Sequence, residues 1–111
     1  MIGKKSKIKN QQVVSLIYKK GETVRGKFFF ISLYKNESLK NRFAFIVPNK
    51  VISKAPARNR LRRQLRYFFE NNKALIPPNT DIIVTARPGV GGLDYKEISQ
   101  ELTGLIKRTK K

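Results

Sequence analysis

The chain has 111 residues, with 25 Lys plus Arg against 7 Asp plus Glu, a formal charge of +18, and neither cysteine nor histidine. That length suits one domain, the missing residue types exclude disulfide frameworks, thiolate metal sites and Ser-His or Cys-His catalysis, and the charge asks for a polyanionic partner. No run approaches the roughly 20 apolar residues that span a bilayer, and the basic start meets polar Asn10, Gln11 and Gln12 instead of a signal-peptide core; nucleic acid therefore ranks ahead of a membrane, and cytoplasm is the expected compartment.

Residues 1–9, MIGKKSKIK, carry four lysines and little to bury, and read as a flexible basic tail. Asn10 is placed to cap a helix that ends at Gly21, with Val13, Leu16 and Ile17 at core spacing and Val14 and Tyr18 paired four residues apart on the flank. From Val24 to Tyr34 the pattern turns to period two: Phe29, Ile31 and Leu33 on one face, Phe28, Phe30, Ser32 and Tyr34 on the other. A polar connection over 35–41 leads to a second strand over Arg42–Val47, and the two strands read as a hairpin with a long loop.

A helix then starts within Ser53–Pro56, with serine as the natural cap and proline tolerated in the first turn. Leu61, Leu65, Phe68 and Phe69 follow at i, i+4, i+7 and i+8, an amphipathic stripe that ends near Asn71 and Asn72. Asp81–Arg87 holds a buried-type strand, PGVGG at 88–92 is loop, and Asp94 with Glu97 opens a last helix that carries Ile98, Leu102, Leu105 and Ile106. Asp94, Glu97 and Glu101 read as capping groups and a solvated face, not a metal site.

Five of the nine arginines fall within RNRLRRQLR at 58–66, and no acid occurs between Glu37 and Glu70. On a helical wheel Ala57, Leu65, Phe68 and Phe69 lie within about 80° of Leu61, while Asn59, Arg60, Arg62, Arg63, Arg66 and Tyr67 take the opposite arc. A merely solvated helix face gains from interspersed Glu-Lys pairs, and this one has none. Guanidinium forks match phosphate oxygens in two-point contacts and stack on bases, so the arc reads as a nucleic-acid surface. Phe28, Phe30 and Tyr34 are a weaker candidate for stacking single-stranded RNA. No pair of carboxylates is placed for acid-base work, and the chain reads as a binder without catalytic residues of its own.

The run KVISKAPARNRLRRQLRYFF at 50–69 resembles the signature region of the bacterial ribonuclease P protein family, and its Arg58-Asn59-Arg60 core matches that family's RNR motif. Similar pattern continues through Lys19-Lys20-Gly21, FFFIS, RFAFIVPNK and DIIVTARPG, over roughly residues 8–108. The resemblance implies an α+β, αβββαβα sandwich like one domain of a small-subunit ribosomal protein, with a short extra strand near 22–26 and a left-handed β-α-β crossover, against the usual hand. It also implies an accessory subunit of an RNA-based endoribonuclease, in which a large RNA with Mg2+ removes the 5′ leader from precursor tRNA. In that reading Arg58, Asn59, Arg60, Arg62, Arg63 and Arg66 meet the catalytic RNA, Val14, Tyr18, Phe28, Phe30 and Lys50 line the leader cleft, and the complex is 1:1. Val14, Ser32 and Asn49 depart from the family's commoner residues. A small ribosomal-type RNA-binding protein is the alternative.

Overall fold

A computed structural model describes residues 21–36 and 41–109. Four strands, β1 (Glu22–Arg25), β2 (Phe29–Lys35), β3 (Arg42–Ile46) and β4 (Thr80–Ala86), form one sheet, with helices α1 (Ala55–Asn71) and α2 (Tyr95–Lys107) and a 3-10 turn at Lys73–Leu75. The N-terminal helix and basic tail expected over 1–20, with Val14 and Tyr18, lie outside the described residues.

The sheet order is β1-β2-β4-β3. β2 runs antiparallel to β4, and β3 runs parallel to it. The expected β2-β3 hairpin is therefore absent, because β4 inserts between the two strands. The reason is burial: all seven β4 residues are buried, and a strand covered on both faces belongs at a central position flanked on both edges. β3, α1 and β4 then make a β-α-β unit around a parallel pair.

Across the sheet the register sets Ile31, Val84 and Phe45 in one row and Leu33, Ile82 and Phe43 in the next. These rows face the helices, meeting Leu61, Leu65, Phe68 and Phe69 of α1 and Ile98, Leu102, Leu105 and Ile106 of α2 in one core cluster. Phe43, Phe45 and Phe69 form an aromatic knot with ring centroids 5.2–6.3 Å apart. At about 25 cal/mol per Å² of apolar surface, this one-sided burial is the main stabilising term.

The opposite face carries the alternate rows Phe30-Thr85-Ile46, Ser32-Ile83-Ala44 and Tyr34-Asp81-Arg42. Ile83 is its buried centre, with Tyr34, Ala44 and Ile46 against it. Ser32 is buried too, its hydroxyl 3.1 Å from that of Thr23 on β1.

The uninterrupted alternation expected from Val24 to Tyr34 breaks at residues 26–28, where the chain turns and the short strand β1 separates from β2. Glu101 of α2 holds this turn, its Oε2 accepting from the backbone N–H of Phe28 at 2.5 Å and of Phe29 at 2.8 Å. The solvated role expected of Glu101 is thereby corrected: a carboxylate accepting from two backbone amides gains charge-assisted bonds. Gly26 makes the approach possible, since a Cβ there would stand 2.8 Å from Glu101 Oε2 and 3.0 Å from the Phe29 carbonyl oxygen.

Asp94 and Glu97 form the expected capping box at α2. α1 differs from expectation at its start, for Lys54 is the N-cap residue, no side chain caps it, and Ser53 takes no such role. Ala57 is exposed rather than part of the core, because the first turn of α1 lies ahead of the buried stripe that begins at Leu61. At the other end Asn71 and Asn72 donate from Nδ2 to the carbonyls of Tyr67 and Phe68, both at 2.8 Å.

Candidate nucleic-acid interface

Burial of Leu61, Leu65, Phe68 and Phe69 fixes the rotation of α1 about its axis, and that rotation decides where each arginine points. Asn59, Arg62, Arg63 and Arg66 line one open depression of about 630 Å³ on the outer face. Arg62 donates from Nη1 to Asn59 Oδ1 at 3.2 Å, one turn back. Among the described residues no side-chain hydrogen bond or ion pair engages Arg60, Arg63 or Arg66.

Four other arginines serve the fold. Arg42 pairs with buried Asp81, its Nη2 2.6 Å from Oδ2, while Arg87 Nη1 donates to the Gly26 carbonyl at 2.6 Å and Arg108 Nη1 to that of Arg25 at 3.2 Å. Arg58, expected to meet RNA, donates from Nη1 to the carbonyls of Ile52 at 3.1 Å and Ser53 at 2.8 Å. It stitches the entry of α1 where a side-chain cap is missing.

The five-arginine run thus separates into three parts. Arg58 is turned back on the backbone, Arg62, Arg63 and Arg66 share the outer depression with Asn59, and Arg60 stands on the flank. There Arg60 borders a second cavity of about 250 Å³, formed with Gln64 of α1 and the loop that precedes α2. No acid sits in the first turn of α1, so the positive end of the helix dipole adds to the cationic field instead of being offset. Such an arrangement stores unfavourable repulsion that phosphate oxygens relieve.

The aromatic candidates fall in different places. Phe30 lies within β2 on the second face, opposite Thr85. Phe28 sits in the turn ahead of β2, packed against the core cluster, with the Lys27 ammonium 5.2 Å from its ring centre and Gly89 beside the ring. The bend at 26–28 takes Phe28 out of the strand alternation that was expected to continue from Phe30. Lys50 is exposed in the turn after β3. Tyr67, on the same arc as the arginines, is the large hydrophobic side chain left exposed among the described residues, at 56%.

No three of the His, Cys, Asp or Glu residues among those described gather as metal ligands. Asp81 is held by Arg42 and Asn36, Glu101 by two amides, and Asp94 and Glu97 by each other's backbone. These four carboxylates are thus each engaged within the fold.

Fold and surface together define a small, strongly basic α+β protein with one arginine-lined helix on its surface. The family model for Ribonuclease P matches residues 2–110. The ribonuclease P protein component of Syntrophomonas wolfei is 31% identical over 108 residues, covering 97% of this chain and 90% of that one, and that of a Thermotoga strain is 34% identical over 97 residues, covering 84% and 82%. Among solved structures, the Staphylococcus aureus RNase P protein superposes with a TM-score of 0.86 at 30% identity, covering 95% of each chain. The Thermotoga maritima protein does so with a TM-score of 0.84 at 28% identity, covering 95% and 98%. The chain belongs to the ribonuclease P protein family, and its role is that of a protein subunit of ribonuclease P.

Proposed function

We propose that this subunit docks the catalytic RNA of ribonuclease P on the outer face of α1 and helps to hold the single-stranded 5′ leader of precursor tRNA. The observation that carries the reading is that Asn59, Arg62, Arg63 and Arg66 line one depression on α1, while Arg42, Arg87 and Arg108 elsewhere are bonded within the fold. Asn59, Arg62, Arg63 and Arg66 meet RNA phosphates, Arg60 adds a contact on the flank, and Arg58 supports the helix that presents them. Leader contacts fall to the second sheet face at Phe30 and to Val14, Tyr18 and Lys50, with Phe28 at the margin.

In this reading RNA carries the catalysis in a 1:1 complex, and Mg2+ belongs to the RNA. The protein contributes charge screening and substrate affinity. The ribosomal alternative gains nothing from the family match. Reconstitution with a bacterial ribonuclease P RNA on precursor tRNA at low magnesium tests the proposal. Wild-type protein should stimulate 5′ processing and an Arg62→Ala, Arg63→Ala variant should do so poorly; no stimulation by the wild type overturns it.

A further inference from the structure

Arg60, Gln64 and Tyr67 follow one another at i, i+4 and i+7 along the flank of α1, a spacing that aligns them on one stripe. This stripe lies beside the outer depression and does not share its lining. The flank cavity differs in chemistry too, for Ile52, Leu61, Val90 and Leu93 give it an apolar floor beneath Arg60 and Gln64. An apolar floor offers nothing to a phosphate but suits the faces of a planar ring, while the Gln64 amide can both donate to and accept from a ring's edge. A cavity of about 250 Å³ falls below the size of pockets for larger ligands, roughly 300–1,000 Å³. Gly91 leaves its rim open, since a Cβ there would meet nothing within 4 Å.

Further along the stripe, Tyr67 is 56% exposed and is braced edge-on by the half-buried Tyr95 of α2, with centroids 5.3 Å apart and planes at 72°. A braced, exposed ring beside arginines is a stacking platform, and sequence-specific RNA recognition works through unpaired bases splayed onto such rings.

We propose that the flank of α1 is a second RNA contact of different chemistry, taking unpaired bases: one in the slot between α1 and the loop before α2, another stacked on Tyr67. This rests on α1 docking RNA, and the neighbouring guanidinium comb favours RNA over an apolar peptide as occupant.

The test measures affinity of the full chain for a bacterial ribonuclease P RNA across salt concentrations, with melting curves confirming that each variant folds. Ala57→Phe, which fills the slot from an exposed helical position, and Tyr67→Ala should each weaken binding by about tenfold, the scale of one lost base contact. The slope of log K against log[salt] should stay unchanged, because no phosphate contact is lost. Tyr67→Phe should bind as the wild type does, and base-specific methylation should find a base protected by wild type and reactive with Ala57→Phe.

Wild-type affinity for both Ala57→Phe and Tyr67→Ala, with unaltered base protection, overturns the proposal, including the case in which a protein segment fills the slot. If Arg62→Ala with Arg63→Ala still flattens the salt slope, the comb reading survives that failure. If it leaves affinity and slope unchanged, RNA docking by α1 fails as well.

Discussion

Arg42 and Asp81 stand opposite each other across the parallel pair β3-β4, and the guanidinium grips both carboxylate oxygens, Nε to Oδ1 at 2.8 Å and Nη2 to Oδ2 at 2.6 Å. Asn36 Nδ2 adds a third bond at 2.6 Å. Asp81 is 1% exposed, and its bond to Arg42 raises the guanidinium's pKa against the opposing effect of burial. This fork pins the register of β3 on β4, and through it the start of the connection that leads to α1.

Arg42→Ala should therefore destabilise the fold by about 3 kcal/mol, since it leaves a buried carboxylate short of its main partner. Asp81→Asn should cost less, because the half-exposed arginine can turn to water. Urea unfolding of the two variants should give this order.

The clasp at the β1-β2 turn makes a second prediction. Glu101→Ala removes the acceptor of two backbone amides and should cost about 2–3 kcal/mol. Gly26→Ala should cost about 1–3 kcal/mol by overpacking, because Glu101, Leu105 and the Phe29 carbonyl crowd that Cβ site. A double-mutant cycle should show non-additivity, as both changes act on one clasp.

Arg58 and Arg62 should separate cleanly although they are four residues apart. Arg58→Ala loses two bonds to backbone carbonyls and should lower stability by about 1 kcal/mol, with a smaller effect on the salt slope of RNA binding. Arg62→Ala should hardly alter stability, yet reduce that slope by about 0.7–0.9. Thermal melts and salt-titrated binding on the same samples compare the two.

Tyr95 supplies a pH dependence. Its pKa is raised above the ordinary 10.0 by burial first and by Tyr67 second, so the folded state holds the phenol proton more tightly than the unfolded chain does. That stabilising contribution is intact below about pH 10 and is lost as pH rises through the folded value. Stability should fall across this alkaline window more steeply for wild type than for Tyr95→Phe, measured by denaturant unfolding with tyrosinate absorbance as the titration signal.

Much of the architecture was legible from local pattern. The i, i+4, i+7, i+8 stripe gave the buried face of α1, alternation gave Phe29, Ile31 and Leu33 as core, and the Asp94-Glu97 pair gave the start of α2. Each depends on residues within a few positions of one another, and periods of 3.6 and 2 are properties of a single element. Charge and the arginine run likewise gave a helix with a cationic outer face, because the missing acids are visible in the sequence itself.

Pairing and commitment were not legible. Nothing local in FFFIS and RFAFI says that β4, 34 or more residues beyond the end of β3 in the chain, will part them; that follows from which strand gains most by being covered on both sides. Nor does RNRLRRQLR say that Arg58 turns back to two carbonyls while Arg60 faces a loop some thirty residues away. Composition and periodicity determined that this protein is a basic α+β binder with one cationic helix. Only the packed structure decided which arginines are taken up by the fold's own bonds, because a side chain's partners are set by what the fold brings within hydrogen-bond reach.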